Sequence, residues 1–281
     1  MTATIEVSRA RASAAEVAAR ANAIRRHVIR MIAPLGQGYA GQGLGSADLM
    51  ATLYFSELRM DPADLDWPDR DRFILSAAHQ AVGLYAALVE RGALPAERLA
   101  EYGGDDTTLE LIAPYRAPGI EFTGGSLGQG LSVGVGMALS ARRHGRDHRV
   151  YVLLGDGEMQ EGQTWEAALA ASSFGLDNIC AIIDLNGMQV EGPTESVQQM
   201  QPVPEKWRAF GWAVHEIDGH SIPAIQDAFE RARATKGRPT MIVAETRPGR
   251  GVSFLEGTRS HFTKFTEESA AAALRELEAA R

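Results

Sequence analysis

From about residue 70 to residue 245, short apolar runs alternate with longer segments of helical spacing, and this alternation most restricts the fold. The runs are RFILS, RVYVLL, ICAIIDL, WAVHEID and TMIVAET. The intervening helical segments are AVGLYAALVERG, LSVGVGMALSARRHG, TWEAALAASSF, PEKWRAFG and IPAIQDAFERARATKG. Strands that alternate with helices are parallel, because each return to the sheet needs a crossover long enough to hold a helix. Runs that are apolar throughout are buried on both faces, so helices must cover both sides. The expected fold is α/β: a parallel sheet with helices on both faces, forming one domain over residues 1–281 with an N-terminal helical extension.

In such folds ligands sit outside the carboxyl ends of the strands. Two strand ends carry the polar residues that this rule asks for. RVYVLL runs into Gly155, Asp156 and Gly157, and ICAIIDL runs into Asn186 and Gly187. Glycines beside Asp156 allow close backbone approach. A carboxylate, an amide oxygen and a backbone carbonyl are hard ligands, suited to magnesium or calcium holding phosphate oxygens. The alternative is local: Asp156 caps the next helix and Asn186 sits in a turn. Their positions on consecutive strand ends favour the metal–diphosphate clamp.

The net charge of −8 argues against a nucleic-acid partner, since an acidic chain gains nothing from polyphosphate attraction. The clusters Arg25–Arg26 and Arg142–Arg143 read as solvated helix faces. The single cysteine, Cys180, lies in an apolar run, which excludes an internal disulfide and suits a buried thiol in a reducing, cytoplasmic setting. No apolar run approaches the roughly 20 residues of a membrane span. Near the N-terminus Val17, Ala21, Ile24, Val28 and Ile32 form a helical stripe, with a cap expected near Ser8. The next stretch, APLGQGYAGQGLGSAD, reads as a glycine-rich loop before a helix capped by Ser46. Within it GQGYAG fits G-x-G-x-x-G, but it follows a helix, whereas a dinucleotide fingerprint must follow a strand. Gly134, Gly136 and Ala138 suggest close packing on one helix face. His27, His144, His148, His215 and His220 read as surface or cap residues.

The order of longer motifs resembles the transketolase family. It is carried by DPADLDWPDRDRFILS, TGGSLGQGLSVGVGMAL, VYVLLGDGEMQEGQTWEAA with LNG about thirty residues later, EGPTESV and KWRAFGW, over roughly residues 15 to 265. The resemblance implies a thiamine-diphosphate-binding fold, and it matches only the half of the family that holds diphosphate and metal. It implies that Asp156 and Asn186 ligate Mg2+ (or Ca2+ or Mn2+), with the Met188 carbonyl as third ligand. By the same resemblance Gly155, Gly157 and Glu158 line the diphosphate turn, and Gly125 and Leu127 lie beside the cofactor rings. His79 meets the cofactor and substrate, His261 reaches the reacting carbon, and Glu161 lies at a subunit interface. It further implies a second subunit carrying the pyrimidine-binding domain, in a heterotetramer acting on sugars or sugar phosphates. Histidine suits that chemistry, because imidazole gives or takes protons near neutral pH.

The family pattern breaks in two places. Tyr39 stands where a substrate-facing histidine is expected, and Leu111 is the nearest match to another. Leucine cannot bond a donor hydroxyl, so either the donor is atypical or a shifted loop brings Tyr115 or Arg116 into that place. The expected function is transfer of a two-carbon unit from a ketose-type donor to an aldose-type acceptor. The alternatives are an acyloin-forming or oxo-acid-decarboxylating subunit, or a non-catalytic paralogue.

Overall fold

A computed structural model describes residues 11–280 of the chain. Helix α1 (Ala14–Ile32) is capped by Ser13, whose side chain accepts the Glu16 N–H while Glu16 accepts the Ser13 N–H. The cap expected at Ser8 lies outside the described residues. Strand β1 (Gln37–Gly38) leads to α2 (Ala40–Gly45) and α3 (Ala47–Thr52), which runs on as a π-turn over Leu53–Glu57. The chain continues through β2 (Arg72–Leu75), α4 (Ala81–Arg91), α5 (Gln129–Arg143), β3 (Val150–Gly155), α6 (Gly162–Ser173) and β4 (Ile179–Leu185). A small hairpin, β5 (Met188–Gln189) and β6 (Gly192–Pro193), precedes α7 (Thr194–Val197) and α8 (Val203–Ala209). The last elements are β7 (Ala213–Asp218), α9 (Ile222–Ala234), β8 (Thr240–Glu245), β9 (Thr263–Lys264) and α10 (Glu267–Ala279).

The central sheet has the order β2-β3-β4-β8-β7, with every pair parallel. Its side chains alternate between two cores, as the period of two requires. Tyr151, Leu153, Cys180, Ile182, Ile242 and Ala244 join the core built with α1, α3, α4 and α9. Val150, Val152, Leu154, Ile179, Ala181, Ile183, Met241 and Val243 join the core built with α5, α6 and α8. The α/β reading with helices on both faces therefore holds. Cys180 is fully buried and burial pushes its thiol up to about 12, which makes it inert as expected. Among the described residues no helix is long and apolar enough to cross a membrane.

Two local expectations fail and a third holds only in part. The glycine-rich stretch after α1 is not a loop but contains α2, every residue of which is buried. Arg25 is not on a solvated face: it is buried, donating to the Leu44 carbonyl at 3.1 Å and pairing with Asp48 at 2.5 Å. The small face of α5 is only partly used. A Cβ on Gly134 would lie 2.6 Å from Val152 Cγ2, whereas one on Gly136 would meet nothing within 4 Å. The two glycines should therefore respond in opposite directions. Gly134→Ala is expected to destabilise by about 1–2 kcal/mol, overpacking outweighing the gain in helix propensity. Gly136→Ala is expected to stabilise by about 0.5–1 kcal/mol. Urea midpoints that shift in the same direction would contradict this packing.

Candidate active site

Strands β3 and β4 are in register with Gly155 opposite Asp184, so the turns that follow them emerge side by side. Asp156 leaves β3 and is almost completely buried. Its Oδ2 accepts the Gly187 N–H of the neighbouring turn at 2.7 Å and, at 3.3 Å, the Thr194 hydroxyl. Its Oδ1 accepts the Gly157 N–H at 2.9 Å. The capping geometry and the convergence of the two strand ends thus coexist in one carboxylate. All these partners are neutral. Burial, and then the charge of Asp184, push the Asp156 carboxyl up to about 7. Asn186 Oδ1 accepts the Met188 N–H at 3.0 Å, which orients its amide. Burial raises the pKa of the Asp184 carboxyl, and the Asn186 side chain lowers it against that rise. Asp184 is itself held by Gln80 Nε2 at 2.6 Å and by the Thr246 hydroxyl. Among the described residues no three His, Cys, Asp or Glu side chains gather as a metal site. Any cation here must therefore draw on amide and carbonyl oxygens as well as the carboxylate.

Glu158 binds together the loops around this turn. Its buried carboxylate accepts the Gly128 N–H at 2.9 Å, the Gly155 N–H at 3.2 Å and the Ser76 hydroxyl. Ser76 Oγ in turn accepts the Gly130 N–H at 3.1 Å. Gly128 and Gly130 of the TGGSLGQG stretch are in this way fixed to the ends of β2 and β3.

A second wall comes from far apart in the chain. Strands β1 and β9 pair antiparallel, Gly38 opposite Thr263, which sets Tyr39 and Gln42 beside His261. The approach is close: the Gly41 N–H donates to the Ser260 carbonyl at 3.0 Å, and a Cβ on Gly41 would sit 2.4 Å from that oxygen. The glycines of GQGYAG thus serve chain packing, not dinucleotide binding. His79 enters from the turn before α4. Its Nδ1 is 2.9 Å from His261 Nε2, and Gln42 Nε2 is 2.5 Å from His261 Nδ1. Tyr39 stacks on His79 with ring centroids 4.0 Å apart and planes 9° from parallel, and meets His261 and Phe262 edge-on.

These walls enclose a cleft of about 400 Å³. His79, Gly125, Leu127, Gly155, Asp156, Gly157, Glu158, Asn186, Met188 and His261 all line it, together with Glu161. The sequence reading missed Gln42, Gln160, Gln189 and Glu191, which also line it. Lone glutamines and a glutamate in glycine-rich or polar stretches carry no motif that would have found them.

Leu111 does not line the cleft; it sits near Gly103, whose Cβ would lie 3.6 Å from it. Ile112 is the residue beside Gly125, 3.7 Å from where a Cβ there would be. Tyr115 is 73% exposed and Arg116 pairs with Glu110, so neither takes the place of a histidine. Two supposed surface histidines are also inside. His148 is buried, and His220 bridges Asp48 at 2.8 Å and the Arg247 N–H at 2.8 Å. Because His220 Nε2 accepts from that amide, its Nδ1 carries the proton toward Asp48.

Burial lowers the pKa of both cleft histidines, and burial together with His79 brings His261 down to about 4. An unfolded histidine titrates near ~6.5. The stabilising contribution of a neutral His261 is therefore full above that value and is lost as pH falls toward 4. Asp156, raised to about 7, has the opposite sign: it favours folding below an unfolded aspartate's ~3.9 and loses that contribution as pH rises through 7. His261→Gln is expected to flatten the acid-side loss of stability, read as urea unfolding at several pH values from 6.5 down to 4.5. An unchanged slope would contradict it.

Comparison with known proteins places this geometry. The family model described as "Transketolase, thiamine diphosphate binding domain" matches residues 17–278. The chain is 43% identical over 260 residues to the 6-deoxy-6-sulfo-D-fructose transketolase subunit of Clostridium sp. strain MSTE9, covering 92% of this chain and 94% of that protein. It is 40% identical over 245 residues to an apulose-4-phosphate transketolase subunit of Actinobacillus succinogenes, covering 86% and 88%. The solved transketolase of Leishmania mexicana superposes with a TM-score of 0.85 at 31% identity, over 95% of this chain but 42% of its own length. The chain thus spans less than half of that solved enzyme. A buried carboxylate at the end of β3, the cleft beside it and these likenesses together mean that the chain belongs to the transketolase family and represents its thiamine-diphosphate-binding domain.

Proposed function

We propose that the chain is the diphosphate- and metal-holding subunit of a two-component, thiamine-diphosphate-dependent transketolase. It transfers a two-carbon unit from a ketose-type donor to an aldose-type acceptor. The observation that carries this is the buried Asp156 carboxylate, bonded only to neutral groups and lining one cleft with the Asn186 amide, whose oxygen accepts the Met188 N–H. Such a donor set fits a hard divalent cation, magnesium first, with calcium or manganese able to replace it. Asp156, Asn186 and the Met188 carbonyl would hold the ion, and Gly155, Gly157 and Glu158 would shape the turn around the diphosphate. Gly125 and Leu127 would flank the rings. Bound thiamine diphosphate supplies the carbon nucleophile for carbon–carbon cleavage and formation. His79 and His261, neutral at pH 7, hold and move protons at substrate hydroxyls.

The relatives bear subunit names and are covered almost end to end, which supports a second subunit contributing the pyrimidine-binding domain. A cytoplasmic heterotetramer with this chain as one component is the assembly we propose, on sugar or sugar-phosphate substrates. Tyr39, stacked on His79, puts a phenol where the resemblance places an imidazole, which supports a donor outside the standard pair.

The test is purification of the tagged chain from its source cell with whatever co-elutes, followed by assay of the assembly with Mg2+ and thiamine diphosphate. Ketol transfer between sugars by a two-subunit complex is the expected result. Carbon dioxide release from pyruvate would move the assignment to an acyloin or oxo-acid enzyme. An assembly whose melting temperature ignores cofactor and metal would leave a non-catalytic paralogue.

A further inference from the structure

Gln42 has no assigned role, yet it forms one end of a continuous polar chain. Its side chain is more than nine-tenths buried, its Nε2 is 2.5 Å from His261 Nδ1, and His261 Nε2 is 2.9 Å from His79 Nδ1. His79 lines the cleft, so Nε2 is its remaining polar atom for a ligand there. Neutral imidazole has one N–H and one lone pair, so fixing a proton at one end of this chain fixes it throughout. With Gln42 Nε2 donating, His261 Nδ1 accepts and its Nε2–H donates to His79 Nδ1, so His79 offers Nε2–H to the cleft. A half-turn of the amide reverses every bond. The Gln42 oxygen then accepts from His261 Nδ1–H, His261 Nε2 accepts from His79 Nδ1–H, and His79 Nε2 faces the cleft as a lone pair. The half-turn is sterically cheap, because oxygen and NH2 are nearly the same size. The Gln42 Oε1 has no hydrogen-bond partner in the first orientation, whereas the turned amide would bury an NH2 there without an acceptor, so the first orientation is the resting one.

We propose that Gln42 is a positioning residue: its amide sets the tautomers of His261 and His79, and so decides whether His79 Nε2 meets substrate as proton donor or acceptor. The inference rests on the transketolase reading for its use, because ketol transfer needs a base in one half-reaction and an acid in the other. In the acceptor form a substrate O–H proton forms N–H at His79 Nε2 while His79 Nδ1–H passes to His261 Nε2. The pair then holds one extra proton, and running the same moves backward delivers it to the product oxygen. Among the described residues, the titratable groups that face these rings besides each other are Tyr39, stacked on His79, and Glu191, whose charge acts on His261.

The experiment is long-range 1H–15N NMR of the full chain labelled at histidine, compared with Gln42→Glu and Gln42→Met. In the wild type the expected state is His261 protonated at Nε2 and His79 at Nε2. A Gln42→Glu carboxylate can only accept, so both protons should move to Nδ1, and the titration midpoint of the pair should rise by about 1 pH unit or more. Gln42→Met keeps the volume and removes both polar atoms, so the rings should lose a single tautomer and show averaged 15N shifts. Wild-type tautomers and midpoint in Gln42→Glu would overturn the proposal. If that variant does not fold, a single wild-type tautomer at both rings in Gln42→Met overturns it alone. The readout needs neither cofactor nor second subunit, so it separates this inference from the transferase assignment.

Discussion

Asp156→Ala is expected to abolish loading of thiamine diphosphate and magnesium, weakening their joint affinity at least about 100-fold, or roughly 3 kcal/mol. The substitution removes the only charged oxygen among the proposed ligands, and it also unties the turn after β3 from the turn after β4 by deleting the bond to Gly187. The chain itself should remain folded. Losing the bonds to Gly157, Gly187 and Thr194 costs stability, but removing a buried carboxylate with neutral partners returns part of it. The signature is therefore a protein with a near-normal melting temperature that no longer rises with cofactor and metal. Calorimetric titration of the assembled complex decides the matter. Normal loading by this variant would sink the metal assignment.

Glu158→Ala should instead damage the fold. Three donors converge on this carboxylate, and alanine leaves the Gly128 and Gly155 N–H groups and the Ser76 hydroxyl facing a void. Bonds to a charged acceptor contribute about 1.5–3 kcal/mol each, partly offset by the burial that pushes this carboxyl's pKa up. A net loss of about 3–4 kcal/mol is expected, or a fall of about 10 °C in Tm for a domain of this size. Glu158→Gln should fall between, since one of its two terminal groups can no longer accept. A fall of less than about 2 °C in Glu158→Ala would mean that these loops are held by something else.

The sheet was legible because strands buried on both faces are apolar without interruption, and β3, β4 and β8 are read directly as VYVLL, ICAIIDL and TMIVAET. Asp156 and Asn186 were legible because a strand end is a position that sequence can count. What failed depended on distant partners. Helix α2 is poor in helix formers, and its glycines are held by contact with Ser260 and other remote segments, so tertiary packing overrides propensity. Arg25 looked solvated because Asp48, which neutralises it, belongs to another helix. Leu111 and Ile112 differ by one place in a long stretch without periodicity, where nothing local fixes which side chain turns toward Gly125. Gln42 belongs to the same class, since it has meaning only once β1 and β9 pair.

That pairing joins residues from nearly opposite ends of the chain, Gln37 with Lys264. Bringing such distant segments together carries a loop-closure cost that local elements escape, and it comes late in folding. During synthesis the sheet is complete once β8 has emerged, but the Gln42–His261 wall cannot exist until the segment before α10 has left the ribosome. A chain ending before His261 would therefore have the Asp156 turn but neither His261 nor its contacts with Gln42 and His79. The two walls of the cleft are thus separated in the order of synthesis, the one carrying Asp156 first and the one carrying His261 last.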